Sequence, residues 1–222
     1  GALASGYSLA KKVDSEGNST WMFIPLYEET EALASAKTQF VDQVTEFVGT
    51  NYSSDIERLN AIYSYLAQTT VYNIDTQIVS SSPASLVLEN EAVCEAFAYV
   101  YAEIANKLGI NTKYVTGIVE RDGEQIGHAW NLVEVDNQWY NSDATWGNID
   151  RNNKDGLEVN MSYFLFSDEI AKLNYKRDHD TLPEATDTKF DVLHNEENYA
   201  FGGGVTGELI VSPKSKEVVV YN

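Results

Sequence analysis

A chain of 222 residues with 43% apolar side chains has material for one generous hydrophobic core, which excludes a wholly disordered polymer. Thirty-four acidic against fifteen basic side chains give a formal charge of −19, a field that repels nucleic acid and anionic membranes and suits basic or neutral polymers. No apolar run approaches the ~20 residues of a membrane span, and a single cysteine excludes an internal disulfide.

Residues up to about position 20 are small and polar and read as a loosely held arm, with 21–26 as a short strand. The start, Gly-Ala-Leu-Ala-Ser-Gly, has neither the basic nor the apolar part of a secretion signal. A leader, if the gene encodes one, is expected to be gone and Gly1 to be a cloning remnant. Over 31–48 the positions Leu33, Ala36, Phe40, Val44, Phe47 and Val48 recur at helical spacing, and Gly49 is the expected stop. Ser54-Asp55-Ile56-Glu57 is a capping box, and Ile56, Leu59, Ile62, Tyr63 and Leu66 form the apolar face of the helix it opens. Residues 69–74, with Tyr72, read as extended or irregular. Ser82-Pro83 reads as an N-cap with proline at the first helical position, for a short helix to Leu88.

Phe97, Val100, Tyr101, Ile104 and Leu108 give a further helix over 93–108, closed by Gly109. Cys94 therefore lies in its first turn or just before it. The period then changes to two, and 112–120, 128–135 and 138–142 are predicted antiparallel strands, turned at 121–123 and at Asp136-Asn137. Beyond them come a polar loop over 146–160, a strand over 161–166, a short helix from Ser167 and a closing hairpin of 209–211 with 217–221. The elements make an α+β fold: an N-terminal arm over residues 1–30, then a single domain over 31–222.

Chemistry concentrates in Cys94, His128 and Asp143. A thiol, an imidazole and a carboxylate in hydrogen-bond sequence are the parts of a nucleophilic acyl-transfer site. With Asp136-Asn137 as the turn, Asp143 falls opposite Trp130, within a register slip of His128. A helix N-terminus and an imidazolium would both lower the pKa of the Cys94 thiol, whereas Glu95 would oppose ionisation unless it pointed away. Each of the three alone has an ordinary structural role; their combination carries the reading. The sequence around Asn153-Lys154-Asp155-Gly156 lacks the ligands of an EF-hand, with Arg151 and Ser162 at its key positions. His128, His179 and His194 lack zinc spacing, and Gly202-Gly203-Gly204 is not a phosphate loop. No cofactor and no metal is expected.

The segments Ala92-Val93-Cys94-Glu95-Ala96-Phe97-Ala98, Leu108-Gly109-Ile110, Gly127-His128-Ala129-Trp130-Asn131 and Trp139-Tyr140-Asn141-Ser142-Asp143-Ala144-Thr145-Trp146 together resemble the transglutaminase-like superfamily. The likeness covers about residues 55–147, with a weaker one at Tyr163-Phe164-Leu165 and Arg177-Asp178-His179. It implies a papain-like core, the nucleophile helix packed on an antiparallel sheet, within a transglutaminase-like domain elaborated over 148–222. It assigns Cys94 as nucleophile, His128 as general base and acid, and Asp143 as the group that orients the imidazole. Tyr72 is the candidate oxyanion donor and Trp130 the candidate substrate contact. Ala92 and Ala96 stand where many members have glycine.

The activity so implied is acyl transfer on peptide or side-chain amides, with water as acceptor in a cysteine peptidase or amidase. A lysine amine as acceptor gives a cross-linking transglutaminase. A catalytically silent surface module and a peptide-N-glycanase-like activity are the other readings. A protein or peptide substrate of basic character, no nucleic-acid partner, no membrane insertion and a bacterial extracellular or cell-surface location complete the expectations.

Overall fold

The computed structural model describes residues 6–13, 19–26, 31–78, 80–121, 123–147, 159–178, 181–191, 208–212 and 217–221. The chain opens with β1 (Gly6–Val13) and β2 (Ser19–Leu26), an antiparallel pair with Gly6 opposite Leu26. Part of the expected arm is therefore a strand, because it has β2 as a partner that local composition does not reveal. Helices α1 (Glu31–Asn51) and α2 (Asp55–Thr69) follow. The first continues through Gly49 instead of stopping there. The second starts on the capping box: Ser54 Oγ accepts from the Glu57 N–H, and the Glu57 carboxylate accepts from the Ser54 N–H at 2.9 Å.

A two-residue strand, β3 (Val71–Tyr72), leads to α3 (Pro83–Glu89), which is capped by Ser82 with proline at its start. Then come β4 (Glu91–Ala92) and α4 (Cys94–Lys107), which ends just before Gly109. The parallel pairing of β3 with β4 sets Tyr72 opposite Ala92, two residues ahead of Cys94.

The main sheet is built from β5 (Thr112–Arg121), β6 (Glu124–Val135), β7 (Gln138–Ser142) and β8 (Tyr175–Arg177), in the order β7-β6-β5-β8, antiparallel throughout. Asp136 and Asn137 both take positive φ, 52° and 61°, as a two-residue hairpin demands, and pair Val135 with Gln138. That turn fixes the register of β7 against β6. Short helices α5 (Ala144–Gly147) and α6 (Asp168–Ala171) follow β7, α6 on its predicted Ser167 cap. The expected strand over 161–166 is instead a single 3-10 turn, Met161–Tyr163, with Leu165 at φ 54°. Only Phe166 pairs, through a bridge to Asn141. A closing hairpin of β9 (Glu208–Ser212) and β10 (Glu217–Tyr221) forms as the sequence predicts.

The core lies between the helices and one face of the sheet. Val41, Val44, Leu59, Ile62, Val100 and Ile104 come from the three longer helices and meet Val133, Val135 and Tyr140 of the sheet. This burial, at roughly 1.5–3 kcal/mol per large side chain, holds α4 against β6 and thereby sets the start of α4 beside His128. Gly117 of β5 faces both His128 of β6 and Arg177 of β8. A Cβ there would lie 2.1 Å from the Lys176 carbonyl oxygen and 2.8 Å from the Trp130 ring. Only glycine lets the edge strand and the indole approach together behind the histidine. The sequence candidates Asn153 to Gly156, His179, His194 and Gly202 to Gly204 lie outside the described residues.

Candidate active site

Cys94 is the first residue of α4, and it is 5% exposed. The N-cap of this helix, Val93, has no side-chain acceptor, whereas α2, α3 and α6 are all capped by a serine hydroxyl. The first turn of α4 therefore leaves the Cys94 and Glu95 N–H groups without intrahelical acceptors or a cap. The thiol packs against Ala98 and Ala129, and the Ala129 N–H donates toward its sulfur. Cys94 thus touches the residue that directly follows His128.

His128 and Asp143 meet as the register implies. His128 Nε2–H donates to Asp143 Oδ2 at 2.6 Å, with the residues 8% and 1% exposed. This leaves Nδ1 as the ring nitrogen not engaged by Asp143. The carboxylate does more than hold the imidazole. Its Oδ1 accepts from the Thr145 and Trp146 N–H groups at 3.1 and 3.4 Å, capping α5. Its Oδ2 also accepts from the Tyr175 hydroxyl at 2.9 Å. Four donors use the four lone-pair directions of the carboxylate, so its position is fixed.

Three aromatic rings frame the imidazole. Trp130 stacks on it at 6.1 Å and 16°, Trp146 lies at 5.6 Å and Tyr175 at 6.1 Å. Trp130 is only 1% exposed, and its Nε1–H donates to Asn141 Oδ1 at 3.1 Å. The expectation that Trp130 contacts substrate is corrected: it is a wall behind His128, because its place on β6 turns the indole inward beneath β8. Arg177 donates to the same Asn141 oxygen at 3.1 Å and pairs with Asp168, tying β8 and α6 to the back of the site.

The thiol differs from expectation. Glu95 does not point away: Cys94 Sγ–H donates to its Oε2 at 3.1 Å. Burial, then the Glu95 charge and this hydrogen bond, with a lesser push from Asp143, raise the thiol pKa to about 12, against the lowering effect of the Ala129 N–H. A protonated resting thiol replaces the expected ion pair. Tyr72 is half-buried, its backbone paired beside Ala92. Sequence reasoning missed Tyr175; its strand of three residues is too short to show alternation, and only Arg177 close by was flagged. Among the described residues, no group of three or more histidine, cysteine, aspartate or glutamate side chains can hold a metal ion. None of the described helices is long and apolar enough to cross a membrane.

Burial and the Asp143 charge raise the Tyr175 phenol well above the ordinary tyrosine value, so it stays a hydrogen-bond donor throughout the neutral range. Tyr175→Phe keeps the ring and deletes only the donor. Because the bond is to a charged group, the variant is expected to lose roughly 1.5–3 kcal/mol of stability at pH 7, read from urea denaturation. An unchanged midpoint would contradict the role assigned to this hydroxyl.

The family comparison agrees with the geometry. Residues 38–144 match the model of the transglutaminase-like superfamily. No curated protein matches the sequence. Solved structures similar to the chain include a TGase, at 22% identity and a TM-score of 0.45, covering 53% of this chain and 34% of that one. Another is a proposed cysteine protease from Cytophaga hutchinsonii, at 12% identity and a TM-score of 0.40, covering 72% and 65%. A third is a proposed protease from Parabacteroides distasonis, at 12% and 0.33, covering 62% and 36%. The chain spans about a third of the length of the first of these. The α+β fold and the family match together mark residues 38–144 as a transglutaminase-like domain.

Proposed function

We propose that the protein is a thiol-dependent hydrolase of peptide or side-chain amides, in which Cys94, His128 and Asp143 act as nucleophile, proton carrier and orienting carboxylate. The observation that carries this reading is the buried 2.6 Å bond from His128 Nε2 to Asp143, with the thiol against the Ala129 N–H beside it. A buried imidazole–carboxylate pair is costly to maintain, and it fixes which ring nitrogen remains for chemistry.

Substrate entry moves the exposed Glu95 carboxylate off the sulfur. Cys94 Sγ then attacks the amide carbonyl while its proton passes to His128 Nδ1, and the new imidazolium is stabilised by Asp143. The oxyanion takes hydrogen bonds from the uncapped Cys94 N–H and from the Tyr72 hydroxyl. Collapse breaks the C–N bond, the amine leaves with the proton from Nδ1, and a thioester remains. Water, deprotonated by His128, hydrolyses the thioester and restores the thiol. A protein or peptide substrate of basic character and a bacterial extracellular or cell-surface setting belong to the same proposal.

Incubation with a mixed peptide library, read by mass spectrometry, is expected to show cleavage or deamidation by the native protein and none by Cys94→Ala. Incorporation of dansylcadaverine without hydrolysis would instead identify an amine acceptor. Inertness in both assays would leave a silent interaction module and overturn the proposal.

A pH effect follows from Glu95. Because the thiol pKa is raised, iodoacetamide alkylation of Cys94 should be slow at pH 7.5 and keep rising with pH toward about 12. Glu95→Gln removes the opposing charge and lowers that pKa, so alkylation at pH 7.5 should quicken several-fold, on the order of tenfold at most since burial remains. An unchanged or slower rate would show that Glu95 does not restrain the thiol.

A further inference from the structure

Strand β6 outruns its neighbour. β7 pairs with it only from Asn131 to Val135, whereas β5 pairs with it from Glu124 to Val133. Among the described residues no strand lies on the β7 side of 124–130, so this part of β6 is an open sheet edge. The register tells which backbone groups face it. The two-residue turn makes Val135 and Gln138 a hydrogen-bonded pair, so Val133 and Asn131 also turn their N–H and C=O groups toward β7. The residues between them face the other way, as the Glu134 N–H does in donating to the Asn111 carbonyl at 2.9 Å. The pairing with β5 runs unbroken to Glu124, so no bulge resets the alternation. Ala129, Gly127 and Gln125 therefore point their N–H and C=O groups out of the open edge.

The thiol sits at the inner end of this edge. Cys94 packs against Ala129, whose outward N–H donates toward the sulfur. Beyond it Gly127 and Gln125 are both exposed, and Gly127 stands two residues from Ala129, about 6.8 Å along the strand. The fold itself does not call for glycine at 127. Gly127 has no positive φ, and a Cβ there would meet nothing within 4 Å, unlike one at Gly117. Residues two apart on a strand share a face, so a side chain at 127 would stand on the face where Ala129 meets the thiol. Glycine keeps that approach clear for another backbone. The edge is also unguarded, since residues 125–130 include neither lysine nor proline.

We propose that the outer edge of β6 at 125–129 receives the extended main chain of a peptide substrate as an added strand. Gly127 holds one substrate residue by an N–H and a C=O bond, and a carbonyl about two residues along the same chain reaches Cys94. The inference rests on the hydrolase reading, since it names the substrate class of that same site. Outward N–H and C=O groups on one strand match the alternating groups of another extended chain, and main-chain bonds of this kind supply affinity without a particular side chain. The substrate is therefore an extended stretch cut at a main-chain peptide bond. A side-chain carboxamide reaching the sulfur would leave its own main chain off the edge.

Alkylation of Cys94 by peptide-bearing electrophiles reads the edge without hydrolysis. Trialanine carries an iodoacetyl group at its N-terminus in one reagent and a chloromethyl ketone at its C-terminus in another, so both strand directions are sampled. Each is compared with its N-methylalanine counterpart, which has no amide N–H to pair, and labelling of the native protein is followed by mass spectrometry. In at least one series the alanine reagent should label about tenfold faster than its N-methyl counterpart. Gly127→Pro deletes the outward N–H, and at unchanged circular dichroism it should bring that ratio close to one. Equal rates within both series on the native protein, or a ratio retained by folded Gly127→Pro, would overturn the proposal. Failure of the hydrolase reading is separate: a protein that cleaves nothing can still show the ratio, and an enzyme that cleaves peptides but labels at equal rates loses the edge alone.

Discussion

The carboxylate of Asp143 is the constraint on which the arrangement depends. It ends β7, caps α5, holds the imidazole of β6 and takes the phenol of β8. Three consecutive elements and β8, whose tyrosine lies 32 residues further on, converge on two oxygens. A carboxylate held by so many donors is immobile, so the imidazole bound to it has one orientation. The aromatic rings of Trp130, Trp146 and Tyr175 then keep that pair from water, which strengthens the bond they enclose.

The Cys94 thiol differs from an ion-paired cysteine. Burial and the Glu95 carboxylate keep the thiol protonated, while the bare helix start beside it leaves amide dipoles with no side-chain acceptor. The two influences oppose each other, and burial with Glu95 wins at rest. In the proposed reaction such a thiol is quiet toward small electrophiles and becomes competent once substrate displaces Glu95 and the proton has a base to go to. The uncapped start of α4 costs the helix about 1 kcal/mol relative to a serine cap, a local loss consistent with a functional position.

Much of this was legible in the sequence. Short-range chemistry was the most readable: the Ser54 capping box, the Ser82-Pro83 start and the Asp136-Asn137 turn all depend on neighbouring residues. That turn fixed the register that brought Asp143 toward His128. Long-range partners were not readable. The strand at 6–13 exists because 19–26 pairs with it, and β8 exists because Gly117 lets it close on β5. Residues 161–166 look like a strand by composition, yet Asn160 caps a 3-10 turn there, its side chain accepting from the Ser162 N–H. The burial of Trp130 depends on β8, whose Tyr175 ring lies 5.0 Å from the indole and which local sequence does not reveal. The direction of Glu95 is a rotamer, which sequence does not specify.

The most direct measurement concerns which nitrogen of His128 carries the proton. Long-range 1H–15N correlation spectra distinguish the two neutral tautomers of an imidazole. With Nε2–H committed to Asp143, neutral His128 should be the Nε2–H tautomer, its Nδ1 unprotonated and able to accept a proton. Finding the proton on Nδ1 instead would contradict the account, because that imidazole could not accept a proton from Cys94.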